Sequence, residues 1–195
     1  MKKIPIGIEN FKEMIDKKYY YVDKTQFISG VINEKVISYT RPRRFGKTLN
    51  MSMLYYFFSN KEKDNAYLFN GLKITKDYNA MKHQNQYPTI FITLKDMKSM
   101  NFSEQKQQFA SLISNIINEY SELFESDILN ECEIDRLIKY RDDTSTLVEL
   151  ENSLKMILDC LYKYYHQEVI ILIDEYDVPL QSAYANNYYD VMVNF

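Results

Sequence analysis

Apolar positions along the chain follow two rhythms, helical spacing and short unbroken runs. Ile8, Phe11 and Ile15 predict a short helix over residues 8–16, followed by an extended piece at Tyr19-Tyr20-Tyr21-Val22. A second helix is expected from Asp23 or Lys24 to about Asn33, carrying Phe27, Ile28, Val31 and Ile32 inward. After Lys47, Leu49, Met53, Tyr56 and Phe57 again recur at helical spacing. The clearest stripe joins Phe109, Leu112, Ile113, Ile116, Ile117, Tyr120, Leu123 and Phe124. Another, over about 146–165, joins Leu147, Leu150, Leu154, Ile157, Leu158 and Leu161. Stripes of this width are core-facing surfaces. A last helix is expected over residues 187–195.

The unbroken runs predict strands. Val36-Ile37-Ser38-Tyr39-Thr40 and Thr89-Ile90-Phe91-Ile92-Thr93-Leu94 are rich in β-branched and aromatic residues. Val169-Ile170-Ile171-Leu172-Ile173 is wholly apolar, the pattern of a strand buried on both sheet faces. Strands separated by helices predict an α/β fold, with a mostly parallel sheet and helices on both faces. Ligands in such sheets sit beyond the carboxyl ends of the strands. Two chemically distinctive segments, 41–48 and 174–177, fall at those ends.

Composition narrows the class without choosing the chemistry. A chain of 195 residues, 46% hydrophobic and 15% aromatic, suits one α/β domain over 1–195 with a substantial core. The net charge of -3 gives no global attraction to nucleic acid or acidic membranes, so any basic site must be local. No apolar run approaches the ~20 residues of a membrane span, and Met1–Asn10 lacks the apolar core of a signal peptide. A cytoplasmic protein with no membrane contact is expected. Cys132 and Cys160 carry no zinc-type spacing and are expected to be buried, reduced thiols.

Residues 41–48, Arg-Pro-Arg-Arg-Phe-Gly-Lys-Thr, end as a phosphate-binding (Walker A) loop ends. Gly46 lets the backbone approach a phosphate, Lys47 would reach the β- and γ-phosphates, and the Thr48 hydroxyl would coordinate Mg²⁺. Arg41 stands where the first glycine of the pattern belongs, and Pro42 stiffens the turn. Arg41, Arg43 and Arg44 add positive charge aimed at phosphates or at a nucleic-acid or protein partner. A basic surface turn is the plain alternative. At the other segment, Asp174 has the place of a Walker B aspartate that holds Mg²⁺, and Glu175 that of a general base polarising the attacking water. A solvated acidic turn is the alternative there. The 127 positions from Lys47 to Asp174 leave room for the intervening strand of the additional-strand class of P-loop folds.

IPIGIENFKEMI, YYYVDKTQFI, RPRRFGKTL and VIILIDEYDVPL, spread over residues 4 to about 180, resemble the AAA-ATPase-like family of bacterial and archaeal proteins. In that family an arginine-led loop is typical, so Arg41 ceases to be anomalous. The resemblance implies a three-layer P-loop NTPase fold of the ASCE, AAA-like kind, with residues 1–34 beside the nucleotide site and 35–195 as the P-loop core. ATP and Mg²⁺ are the expected cofactors. Expected nucleotide contacts are Arg43, Arg44, Phe45, Gly46, Lys47, Thr48 and Leu49; expected metal ligands are Thr48 and Asp174; expected catalytic residues are Glu175 and Lys47. Relatives often continue into a domain similar to PD-(D/E)XK nucleases. Because the chain stops at Phe195, shortly after Glu175, a C-terminally truncated piece is expected, without the next strand's sensor residue or an arginine finger. An ATPase coupled to a partner leads. A non-hydrolysing nucleotide sensor and a P-loop small-molecule kinase are the alternatives, and the oligomeric state stays open.

Other residues fit plainer roles. His83 and His166 lie apart from each other and from cysteine, which argues against metal ligation. The 18 tyrosines are scattered without a basic groove, so packing accounts for them better than base stacking. Asp177 either orients Mg²⁺-bound water or an arginine, or forms a turn before Pro179. Asp23-Lys24-Thr25 reads as a helix cap, which the resemblance puts near the base or ribose.

Overall fold

The Asn10 side chain accepts the Glu13 amide and opens the first helix, α1 (Phe11–Asp16). The structure, a computed structural model, describes residues 3–39 and 45–195. The chain divides into two compact units, Met1–Thr89 and Ile90–Phe195.

In the first unit α1 is followed by α2 (Gln26–Val31) and α3 (Lys47–Phe58). Two 3-10 segments, Asn60–Phe69 and Lys73–Lys76, lead to the single turn α4 (Tyr78–Met81). Phe11, Met14, Ile28, Met53, Phe57, Leu68, Phe69 and Ile74 are at most 2% exposed and form its core. Phe69 joins two helices there, its ring 5.1 Å from those of both Phe11 and Phe57. α3 buries polar groups as well, and they find partners. Ser52 Oγ accepts the Phe11 amide at 3.0 Å, and Asn50 Nδ2 donates to the Tyr39 hydroxyl at 2.9 Å. The expected strand at 36–40 does not form over residues 36–39, and residue 40 lies outside the described residues. Val36 is 90% exposed; β-branched side chains make a strand only where another strand pairs with them.

The second unit holds the sheet, two strands among the described residues: β1 (Thr89–Thr93), whose first residue closes the first unit, and β2 (Ile170–Asp174). Leu94, just past β1, donates its amide to the last carbonyl of β2, Asp174 O, at 3.0 Å, so the strands run in the same direction. Around them lie α5 (Phe102–Glu119), α6 (Glu131–Arg141), α7 (Leu147–Glu151), α8 (Ser153–Tyr165), α9 (Val178–Ala185) and α10 (Tyr189–Asn194). Ile90, Ile92, Ile113, Ile117, Leu137, Ile157 and Leu161 are the centre of its core, with Val169 and Ile171 packed against it.

Several expectations change on this frame. β2 is not buried on both faces, because Ile173 is 39% exposed while Leu172 and Asp174 are buried. The helix expected over 146–165 is two helices. Thr146 and Glu149 close a capping box that starts α7, and Asn152, with ψ near 0, ends α7 and starts α8. Leu147, in that first turn, is half-exposed rather than core-facing. Cys160 is buried, which pushes its thiol up to about 11, but Cys132 sits exposed on α6. Among the described residues no helix is long and apolar enough to cross a membrane.

Candidate functional site

Gly46 has φ 78° and ψ 31°, the left-handed conformation that glycine adopts without penalty, and it is the N-cap of α3. Its carbonyl accepts the Asn50 amide at 3.0 Å, so the helix is wound from its first turn. α1, α5, α6 and α7 begin on side-chain caps from Asn10, Asn101, Asn130 and Thr146. A glycine offers the first-turn amides no such oxygen. Lys47, Thr48 and Leu49 occupy that first turn, all half-buried, and Phe45 stands before them, 59% exposed. A helix start of this kind suits an anion.

The approach to the loop is anchored at Tyr39. Its hydroxyl takes the Asn50 hydrogen bond, and its ring lies 4.7 Å from that of Phe27. Arg41, Pro42, Arg43 and Arg44, singled out for their charge and stiffness, lie outside the described residues.

Asp23-Lys24-Thr25 gives α2 no side-chain cap, for Thr25 is its N-cap residue and makes no capping hydrogen bond; the segment ties two distant stretches together instead. Asp23 Oδ1 accepts the Thr25 amide at 2.9 Å and its hydroxyl at 2.6 Å, while Oδ2 accepts the Lys73 amide at 2.7 Å. Thr25 Oγ1, fully buried, accepts the Ile74 amide at 3.1 Å. Burial pushes the Asp23 carboxyl up, but these hydrogen bonds outweigh it and hold the group below its ordinary range. Lys24 between them turns toward the loop, its Nζ 3.5 Å from the Phe45 carbonyl oxygen. Sequence spacing does not reveal that contact. A motif 21 positions away offers no periodicity linking it to Phe45.

In the second unit Asp174 closes β2 and is 1% exposed. Burying a carboxylate is costly unless polar partners or a cation compensate it, so hydrophobic packing does not account for this residue. Glu175, half-buried, follows with φ 56°, a left-handed conformation unusual for a residue with a side chain. The strand thus turns sharply and leads through Tyr176 into α9. Asp177 is the N-cap residue of α9 without capping it, and its Oδ2 instead accepts Gln181 Nε2 at 2.6 Å. The loop after β1 is tied to the same region. Ser99 O accepts Ser182 Oγ at 3.0 Å, Tyr188 Oη at 3.0 Å and Asn186 Nδ2 at 3.3 Å, and the Ser99 amide donates to Ser182 Oγ at 3.1 Å.

Each unit holds a residue whose oxygen magnesium accepts when a nucleotide supplies the others, Thr48 in the first and Asp174 in the second. Among the described residues no three His, Cys, Asp or Glu gather into a metal cage. Mg²⁺ needs none when phosphates, water, one carboxylate and one hydroxyl supply its oxygens, and Asp174 and Thr48 are residues of that chemistry. His83 lies against Tyr87, its Nδ1 at the Tyr87 hydroxyl, and His166 caps the end of α8.

The family described as predicted AAA-ATPase, AAA-ATPase-like, matches residues 5–195. A protein of Azotobacter chroococcum mcd 1, described as an uncharacterized protein in the vnfD 5' region, is 26% identical over 181 residues. The match covers 92% of this chain and 30% of that protein, so the chain spans less than a third of the length of this curated relative. No solved structure matches the chain.

Proposed function

The chain belongs to the AAA-ATPase-like family, and on that premise we propose that it binds Mg-ATP on a three-layer P-loop fold and hydrolyses it in step with a partner. Gly46, Lys47 and Thr48 take the phosphates, with Phe45, Leu49, Arg43 and Arg44 completing the contacts. Thr48 and Asp174 hold Mg²⁺, and Glu175 polarises the attacking water. The observation that carries this reading is the left-handed Gly46 opening the twelve-residue α3 with Lys47 and Thr48 in its first turn. The buried Asp174 followed by Glu175 at a strand's carboxyl end supports it from the second unit.

Isothermal titration with Mg-ATP tests the binding half. Lys47→Ala is expected to weaken affinity by tenfold or more, as loss of a charge-assisted hydrogen bond does at about 1.5–3 kcal/mol. Wild-type affinity in that variant would falsify the reading. Phosphate release tests the chemistry: Glu175→Gln should retain ATP and lose turnover. If wild type and Glu175→Gln both release phosphate only at the background rate, the domain senses ATP without consuming it.

A further inference from the structure

Lys24 is carried to the loop by a frame that leaves its ammonium no other task. Its neighbours are committed elsewhere: Asp23 to the amides of Thr25 and Lys73, Thr25 to the amide of Ile74. Its own amide donates to the Tyr21 hydroxyl at 3.4 Å. Tyr21 is itself seated by its ring against Phe11, 5.5 Å between centroids, and by its hydroxyl on Met53 Sδ at 3.5 Å. Backbone and flanking side chains are therefore fixed, and the lysine stem projects from a rigid base.

The ammonium ends over the Phe45-Gly46 peptide. It lies 3.5 Å from Phe45 O and 4.0 Å from the point a Cβ on Gly46 would occupy. The carbonyl contact is at the long limit of a hydrogen bond, and among the described residues no carboxylate pairs with Lys24. A long bond to a neutral acceptor on an exposed side chain is readily exchanged for one to an anionic oxygen, which is shorter and stronger. The place where such an oxygen would sit is beside the amides that open α3.

We propose that Lys24 is a second lysine of the phosphate site, moving its ammonium from the Phe45 carbonyl to a phosphate oxygen of the bound nucleotide. The proposal rests on the phosphate reading of residues 45–48. Its ligand class is the nucleoside di- or triphosphate, and it moves the Asp-Lys-Thr segment from the base or ribose to the polyphosphate. A Cβ at position 46 would meet the ammonium at 4.0 Å, ordinary contact distance, so the lysine stands directly beside the glycine of the loop.

Titrations of the full chain with Mg-ATP, Mg-ADP and adenosine decide it, using wild type, Lys24→Gln, Lys24→Arg and Lys47→Ala. Lys24→Gln is expected to weaken ATP and ADP about tenfold and to leave adenosine unchanged, and Lys24→Arg to recover most of the loss. An unchanged ATP affinity in Lys24→Gln, alongside a loss in Lys47→Ala, would overturn the proposal and leave the phosphate reading intact. Equal weakening of ATP and adenosine would also overturn it, because the lysine would then only brace the loop. Undiminished ATP binding by Lys47→Ala would remove the phosphate reading itself, and this proposal with it.

Discussion

Glu175 concentrates the residue-scale argument. Its φ of 56° places a β-carbon where the left-handed backbone crowds it, at a cost of about 1 kcal/mol that a glycine would not incur. The role proposed for Glu175 would account for a residue with a side chain in that conformation beside a buried aspartate. Glu175→Gly should therefore exceed Glu175→Ala in stability by roughly 1 kcal/mol in chemical denaturation. Both variants should lose phosphate release. If alanine proves as stable as glycine, the turn is not strained and the inference about the side chain loses its support. Residue chemistry of this kind was half legible. The turn at Gly46 and the helix start at Lys47 were readable because a tight turn before a helix favours a glycine. The left-handed turn at Glu175 was not, since neither glutamate nor its neighbours announce it. Cys132 was misplaced for a related reason: a cysteine's average burial says nothing of the face of α6 it occupies.

Helices were legible in proportion to their amphipathic length. α5 and α8 carry stripes that only a core can explain, and α3 begins where the phosphate-loop pattern places it. The 3-10 segments at 60–76 have no stripe, and their backbone is held by distant partners, Asp23 and Thr25 on the amides of Lys73 and Ile74. α9 was hidden by Val178-Pro179, which looks like a turn, although proline is at home in a helix's first turn. The break at Asn152 was masked because the apolar stripe continues through it while the caps change. Those caps give an element-scale prediction. Glu149 accepts the Thr146 amide at 2.8 Å and pairs with Lys139 at 3.0 Å. These contacts, the Thr146 amide first, lower its carboxyl from the usual 4.5 to about 2. A carboxyl depressed in the folded state stabilises above its unfolded pKa and loses that contribution as pH falls toward the folded one. The Thr146–Glu149 cap should thus be fully effective at neutral pH and fade between about pH 5 and pH 2. Thermal midpoints of Glu149→Gln should fall less steeply than wild type across that window. Parallel curves would mean the pair contributes nothing at the surface, as many exposed pairs do.

At the scale of the whole molecule, the pattern of runs and stripes announced an α/β chain, and two parallel strands among many helices are what the described residues form. The strand expected at 36–40 does not form over 36–39, because β-propensity describes fit to a sheet and, among the described residues, no strand pairs with these. What a nucleotide does to such a chain follows from linkage. Any ligand that binds the folded form alone stabilises it by RT ln(1 + [L]/Kd), about 2.7 kcal/mol at a hundredfold excess over Kd. For a domain of this size each kcal/mol raises the melting temperature by about 2–4 °C, so saturating Mg-ATP should raise it by roughly 5–10 °C. The rise should persist in Glu175→Gln, which keeps the binding groups, and fall by about half or more in Lys47→Ala, whose affinity is expected to drop tenfold or more. Withholding Mg²⁺ should reduce it, because Thr48 and Asp174 are proposed to reach the phosphates through the ion. A rise of equal size with and without the metal would leave the phosphate loop standing and strike Asp174 from the site. The buried carboxylate at the end of β2 would then need a purpose inside the fold.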